Sequence, residues 1–292
     1  MPLLSNQANA PERGDGTRVL CQFANGAYRG ASDAWKRGWR KMGFTHAIFW
    51  TDEQQALNSS VVSGHRRALA ELQRVANTAD TRAALQGHVP RPLCAAVKPI
   101  LLLHAMATAG DGAYVMWADA KLPLPAPGLL LHATSSLSRS VEVPSAYGLV
   151  HPWRAGTNDP VADNDCLLNN GAYRKALPRQ KLHNVTVISD VTLDAYSGLV
   201  ANRTRFLTRP HVLTSNMLLR NSPASRLLMW QWLNMALTSP RGFCASNTQD
   251  QAAWSILAAN LSLPLIQASA PLNSSCEQST KGKDAHTFLN VL

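Results

Sequence analysis

The chain predicts an α/β fold, a mostly parallel sheet covered by helices, and three observations predict it. First, an apolar segment, RVLCQFAN (18–25), is followed by a helical pattern and then by a second apolar segment, THAIFWT (45–51). Strand, helix and strand in that order form the βαβ unit of parallel sheets. Second, a strongly apolar helix, Lys98–Ala109, turns through Gly110-Asp111-Gly112 into a third apolar run, Ala113–Trp117, that stops at Asp119. Third, 46% hydrophobic and 16% charged residues over 292 positions describe a globular chain with enough material for a large core.

The elements follow in order. Residues 1–16 read as a flexible lead-in, and 17–292 as one domain. That domain divides after Lys121, where the texture of the chain changes, into halves 17–121 and 122–292. The first strand ends in Asn25-Gly26, a turn signal. The helix from about Ser32 to Met42 puts Trp35 and Trp39 on one face and is closed by Gly43. Val61–Asn77 carries Leu69, Leu72 and Val75 at helical spacing. After Lys121 the chain turns irregular, with Pro123, Pro125 and Pro127, and later His151, Trp153 and Arg154. Asn184–Asp190 (NVTVISD) alternates like a strand, and His211–Arg220 reads as a strand broken at Ser215-Asn216. Ser222-Pro223 opens a helix with its buried stripe at Leu228, Trp232 and Met235. Thr248 and Gln251 have capping-box spacing for a last helix, Gln249–Asn260, and the tail from Gly282 is short.

Composition narrows the functional classes. Lys and Arg exceed Asp and Glu by ten, which fits an anionic partner. The basic residues come in scattered pairs such as Lys36-Arg37 and Arg66-Arg67, and no zinc-finger, helix-turn-helix or aromatic RNA-binding pattern accompanies them, so nucleic acid is not expected. No apolar run is long enough to span a bilayer. Cys21, Cys94, Cys166, Cys244 and Cys276 are far apart with no CxxC, which speaks against a cysteine metal site; Cys21 reads as core. Sequons at Asn58, Asn184, Asn202, Asn260 and Asn273 lean toward a secretory lumen. The N-terminus lacks signal-peptide features, so the expectation is a cytoplasmic protein or one whose anchor segment lies outside this sequence.

Ligands of such sheets bind at the carboxyl ends of the strands. Asn25, Asp52 and Asp119 are the polar residues at three of those ends. Lys98 begins an apolar helix, whose N-terminus favours phosphate; the alternative is a solvent-facing lysine. Asp250 and Gln251 lie in a first helical turn, where capping alone also accounts for them. Asn216 is a polar residue in an apolar strand and needs a hydrogen-bond partner, most commonly a backbone group. His286, near the C-terminus, is a remote candidate metal ligand. Neither GxSxG, P-loop, HExxH nor GxGxxG occurs.

Four ordered stretches carry a resemblance: GFTHAIFWTD (43–52), VKPILLLHAM (97–106) leading into GDGAYVMWADAK (110–121), TSNMLLRNSPASRLLMWQWL (214–233), and QDQAAWSILAAN (249–260). Together they resemble GT-A-type glycosyltransferases, nearest to galactosyl- and xylosyltransferases acting on galactomannan and xyloglucan. The match spans about two thirds of the chain in scattered blocks. The resemblance implies a Rossmann-like mixed sheet with 17–121 as the nucleotide-binding half and 122–292 as the acceptor-side half, a nucleotide-sugar donor, a glycan or glycoprotein acceptor, and a Golgi or other secretory location. It also implies donor binding by Lys98, Asp119, Lys121, Asp52 and Asn216, Asp250 as the catalytic group on the acceptor side, and Gln251 at the acceptor. In such families an Asp-x-Asp pair holds Mn²⁺ or Mg²⁺ against the diphosphate. Asp119 matches the first acid, but Lys121 stands at the second, which puts the metal in doubt. Lys121 reads either as a cation replacing the metal or as the mark of a non-catalytic protein on the same fold that binds nucleotide or glycan.

Overall fold

The computed structural model describes residues 16–79, 81, 92–120 and 181–261, the last without 183–184, 187, 201, 204–205, 207–213, 215 and 247–248. Lys121, Thr248, His151, Trp153, Arg154 and His286 lie outside the described residues, as do the lead-in up to residue 15 and the tail.

Four strands form one mixed sheet in the order β2-β1-β3-β6. They are β1 (Arg18–Phe23), β2 (His46–Trp50), β3 (Tyr114–Ala118) and β6 (Asn216–Arg220). β1 runs parallel to β2 and to β3, with Cys21 opposite Ile48 on one side and Trp117 on the other. β6 closes the edge antiparallel to β3, pairing Asn216 with Ala118 and Arg220 with Tyr114. β4 (Lys181–Leu182) and β5 (Val185–Thr186) make a separate two-stranded hairpin.

Successive side chains of a strand point to opposite faces, and both faces of this sheet are covered. Leu20, Met116, Ala118 and Leu218 join Trp35, Met42 and Phe44 on one face. Trp35 belongs to α1 (Arg29–Gly38), and a 3₁₀ turn carries the chain on to Gly43, whose φ of 93° ends the helical segment. Val19, Cys21, Val115, Trp117, Met217 and Leu219 point to the other, larger core. Burial raises the Cys21 thiol well above its usual range.

That larger core is built on α4 (Val97–Ala109), buried along nearly its whole length. α6 (Pro223–Thr238) packs on it, and α3 (Arg66–Ala76), α7 (Pro240–Cys244) and α8 (Asp250–Asn260), packed on α6, complete the same core. Ser222 caps α6 through the Ser225 N–H and Pro223 takes its first turn, as the sequence predicts. Asn221 knits the far end: its amide donates to the carbonyls of Met106 and Gly110 at 2.8 and 2.5 Å, tying α4 to the Gly-Asp-Gly turn.

One local expectation is corrected. The segment 184–190 does not run on as a strand to Asp190: among its described residues Val185–Thr186 pair, and Ser189 then caps α5 (Asp190–Ala195) by accepting the Thr192 N–H. A serine followed by an acid is a helix start as readily as a strand end. The last helix begins at Asp250, with Gln249 before it at a positive φ of 38° and giving no side-chain cap; Thr248, the expected cap, lies outside the described residues.

A left-handed stretch leads into α4. Leu93, Cys94 and Ala95 have φ of 51°, 52° and 69°. Each such residue costs about 1–2 kcal/mol, and none of the three is glycine. The stretch is fastened by a disulfide between Cys94 and Cys244, whose Cα atoms are 5.4 Å apart across 150 residues of sequence.

Candidate functional site

The carboxyl ends of β1, β2 and β3 lie on one edge of the sheet, and the antiparallel β6 brings its amino end to the same edge. Asp119 follows β3 directly. Thr214 precedes β6, and α4 begins beside them because it leads back into β3.

Lys98, in the first turn of α4, is the centre of the cluster. Its ammonium reaches Asp250 Oδ2 at 2.7 Å, Thr214 Oγ1 at 2.8 Å, the Thr214 carbonyl at 2.9 Å, and Asp119 Oδ1 at 3.7 Å. It also lies 5.1 Å from the centre of the Trp117 ring, a cation–π distance. An ammonium has three N–H donors, and here they point to Asp250 and Thr214. The Thr214 hydroxyl donates in turn to Asp250 Oδ2 at 2.8 Å, which closes a triangle of hydrogen bonds.

The three charged side chains are graded in depth. Asp250 is 1% exposed, Lys98 7% and Asp119 22%, so Asp119 is the member that meets solvent. The Trp117 indole N–H donates to its Oδ1 at 2.8 Å, fixing the carboxylate so that Oδ2 takes no partner among the described residues. Asp250 is anchored through its backbone as well, where its carbonyl accepts from the Trp232 indole at 3.1 Å. Trp232 in turn packs on Trp254 with ring centres 4.9 Å apart.

The fold therefore brings Lys98, Asp119 and Asp250 together although they are far apart in sequence. Asn216 pairs through its backbone with Ala118, next to Asp119. Gln251 lies beside Asp250, largely buried, and its Oε1 has no hydrogen-bond partner. Fully buried Gln249 has none at either amide atom, and the Trp254 indole N–H is also unpaired. Asp52 is two strands away, about 10 Å by strand spacing. It caps α2 (Glu53–Leu57) in a capping box with Gln55. Two members went unnoticed in sequence reading. Thr214 carried no motif signal beyond its place ahead of Ser215-Asn216, and the Trp117 indole read as core.

A divalent cation does not fit the described residues well. Mg²⁺ and Mn²⁺ want several oxygen ligands. Among the described residues Asp119 offers one unengaged oxygen, and Lys98 already sits 3.7 Å from the other. No group of three or more His, Cys, Asp or Glu side chains with metal-holding geometry occurs among the described residues. No helix among them is long and apolar enough to cross a membrane. Comparisons with protein-family models, curated proteins and solved structures give no match.

Proposed function

We propose that the chain is a glycosyltransferase of GT-A type that moves a sugar from a nucleotide-sugar to a hydroxyl of a glycan or glycoprotein. The observation that carries this reading is the Lys98–Asp119–Asp250 cluster at the carboxyl edge of a mostly parallel sheet, where ligands of such folds bind. Asp119, solvent-facing and held by Trp117, is the donor-side group. Lys121, two residues on, is the cation for the leaving diphosphate, in the role a metal fills elsewhere. Lys98 holds Asp119 and Asp250 from behind. Gln251 and Asn216 supply polar contacts to sugar hydroxyls, and the unpaired Oε1 of Gln251 supports its part. Asp52 stands farther along the same edge, toward the nucleoside.

A secretory lumen is the proposed location. The Cys94–Cys244 disulfide supports it, because such bonds persist in oxidising compartments. The described sequon asparagines, Asn58, Asn202 and Asn260, are all exposed.

One observation favours a second reading, a non-catalytic protein binding nucleotide or glycan on this fold. Asp250 is fully buried and already engaged by Lys98 and Thr214, so its carboxylate is not presented as a base. Incubation with labelled UDP- and GDP-sugars and oligosaccharide acceptors tests the first reading. Label in acceptor is the expected result. Donor binding with no transfer and no donor hydrolysis establishes the second reading instead.

A further inference from the structure

We propose that the Cys94–Cys244 disulfide is a covalent clamp that sets the register between the segment carrying Lys98 and the segment carrying Asp250, so that the charged cluster assembles fully only in the oxidised protein. Cys94 lies four residues before Lys98, and Cys244 six residues before Asp250. The same two stretches of chain are thus joined twice, once by sulfur and once by the 2.7 Å ion pair.

The backbone on the Cys94 side needs such a restraint. Leu93, Cys94 and Ala95 are left-handed without a glycine, a conformation kept only where the surroundings hold it. The left-handed turn closes with the Ala96 N–H on the Leu93 carbonyl at 2.9 Å and passes directly into the first turn of α4. Relaxation of residues 93–95 therefore turns the start of α4, and with it Lys98.

The Cys244 side is fixed to its surroundings. Ser246 bonds the Thr192 hydroxyl at 2.7 Å and accepts the Ser189 N–H at 3.0 Å. Gly242 lets α7 lie so close to α5 that an added Cβ would stand 2.3 Å from that of Ala195. The clamp thus references the left-handed turn to a segment held by side-chain hydrogen bonds. Its formation removes two protons and two electrons from the two thiols, taken up by a disulfide-bearing oxidant through thiol–disulfide exchange.

Acylation of lysines tests the clamp without any nucleotide-sugar. The clamp's bearing on donor binding rests on the glycosyltransferase reading, but Lys98 protection does not, so the two can fail separately. Acetic anhydride is applied to the wild type and to the Cys94→Ala/Cys244→Ala variant, and acetylation is read by mass spectrometry with exposed Lys36 as reference. In the oxidised wild type Lys98 reacts at least about tenfold more slowly than Lys36; in the folded variant the gap narrows to about threefold or less. Equal protection in both folded proteins overturns the clamp, and so does alkylation of Cys94 or Cys244 in the unreduced folded chain. Where the variant does not fold, the wild type is titrated with urea under reducing conditions. Lys98 must then become reactive before the far-UV circular dichroism changes, and coincidence of the two transitions overturns the proposal.

Discussion

Lys98 is buried with its charge, and a buried charge is tolerable only where partners replace the water it has lost. Asp250, Thr214 and the Trp117 ring do so. Lys98→Met takes away the cation that faces the buried Asp250 carboxylate. It is expected to lower unfolding free energy by about 3–5 kcal/mol in urea denaturation. Removing both charges with Lys98→Met/Asp250→Leu should return a large part of that loss; a strictly additive double variant would contradict the pair. At the same scale, His104 stacks near Trp50 with ring centres 5.3 Å apart and bonds the Ser59 hydroxyl at 3.3 Å. Burial lowers its pKa below the ordinary value. The folded state then binds fewer protons than the unfolded one in the window just below about pH 6.5, so stability falls as pH falls through it. His104→Gln should flatten that slope in melts recorded from about pH 7 to 5; an unchanged slope would assign it to other groups.

At the scale of elements, what holds the site is how α4, α7 and α8 meet. The disulfide closes a loop of 150 residues between α7 and the entry to α4, and its removal should cost about 2–5 kcal/mol in equilibrium unfolding. Gly242→Ala forces α7 and α5 apart and should cost about 1–3 kcal/mol, as overpacked contacts do; a neutral effect on thermal melting would show that the two helices are not in close contact. Elements with strong local signals were legible in the sequence. The αL glycine at Gly43, the Ser222-Pro223 start and the apolar strands around β1, β2 and β3 all fall where local chemistry puts them. Where local signals compete they mislead. Ser189-Asp190 ends an alternating run, yet Ser189 caps a helix.

At the scale of the molecule, a sheet covered on both faces leaves its strand ends as the place for polar chemistry. The apolar runs of β1 and β3 and the strongly apolar α4 made that architecture readable. The candidate site was readable only as separate residues. Asp119 declares itself at a strand end. The partnership of Lys98 with Asp250, 152 residues on, and of both with Thr214 depends on how β6 and α8 return to the sheet, which no local pattern encodes. The cysteine pair was hidden for the same reason, because distant cysteines carry no spacing signal for pairing. The antiparallel β6 matters most here, since its reversed direction brings Thr214 to the edge where Asp119 lies.

Calorimetric titration of the oxidised chain with UDP- and GDP-sugars, with and without Mn²⁺, for the wild type and Asp119→Asn, tests the central claim most directly. The account predicts that one nucleotide-sugar binds without added metal and that Asp119→Asn weakens this binding by at least about tenfold, a loss of about 1.4 kcal/mol. Absence of binding to every nucleotide-sugar under both conditions, or unchanged affinity in Asp119→Asn, would contradict it.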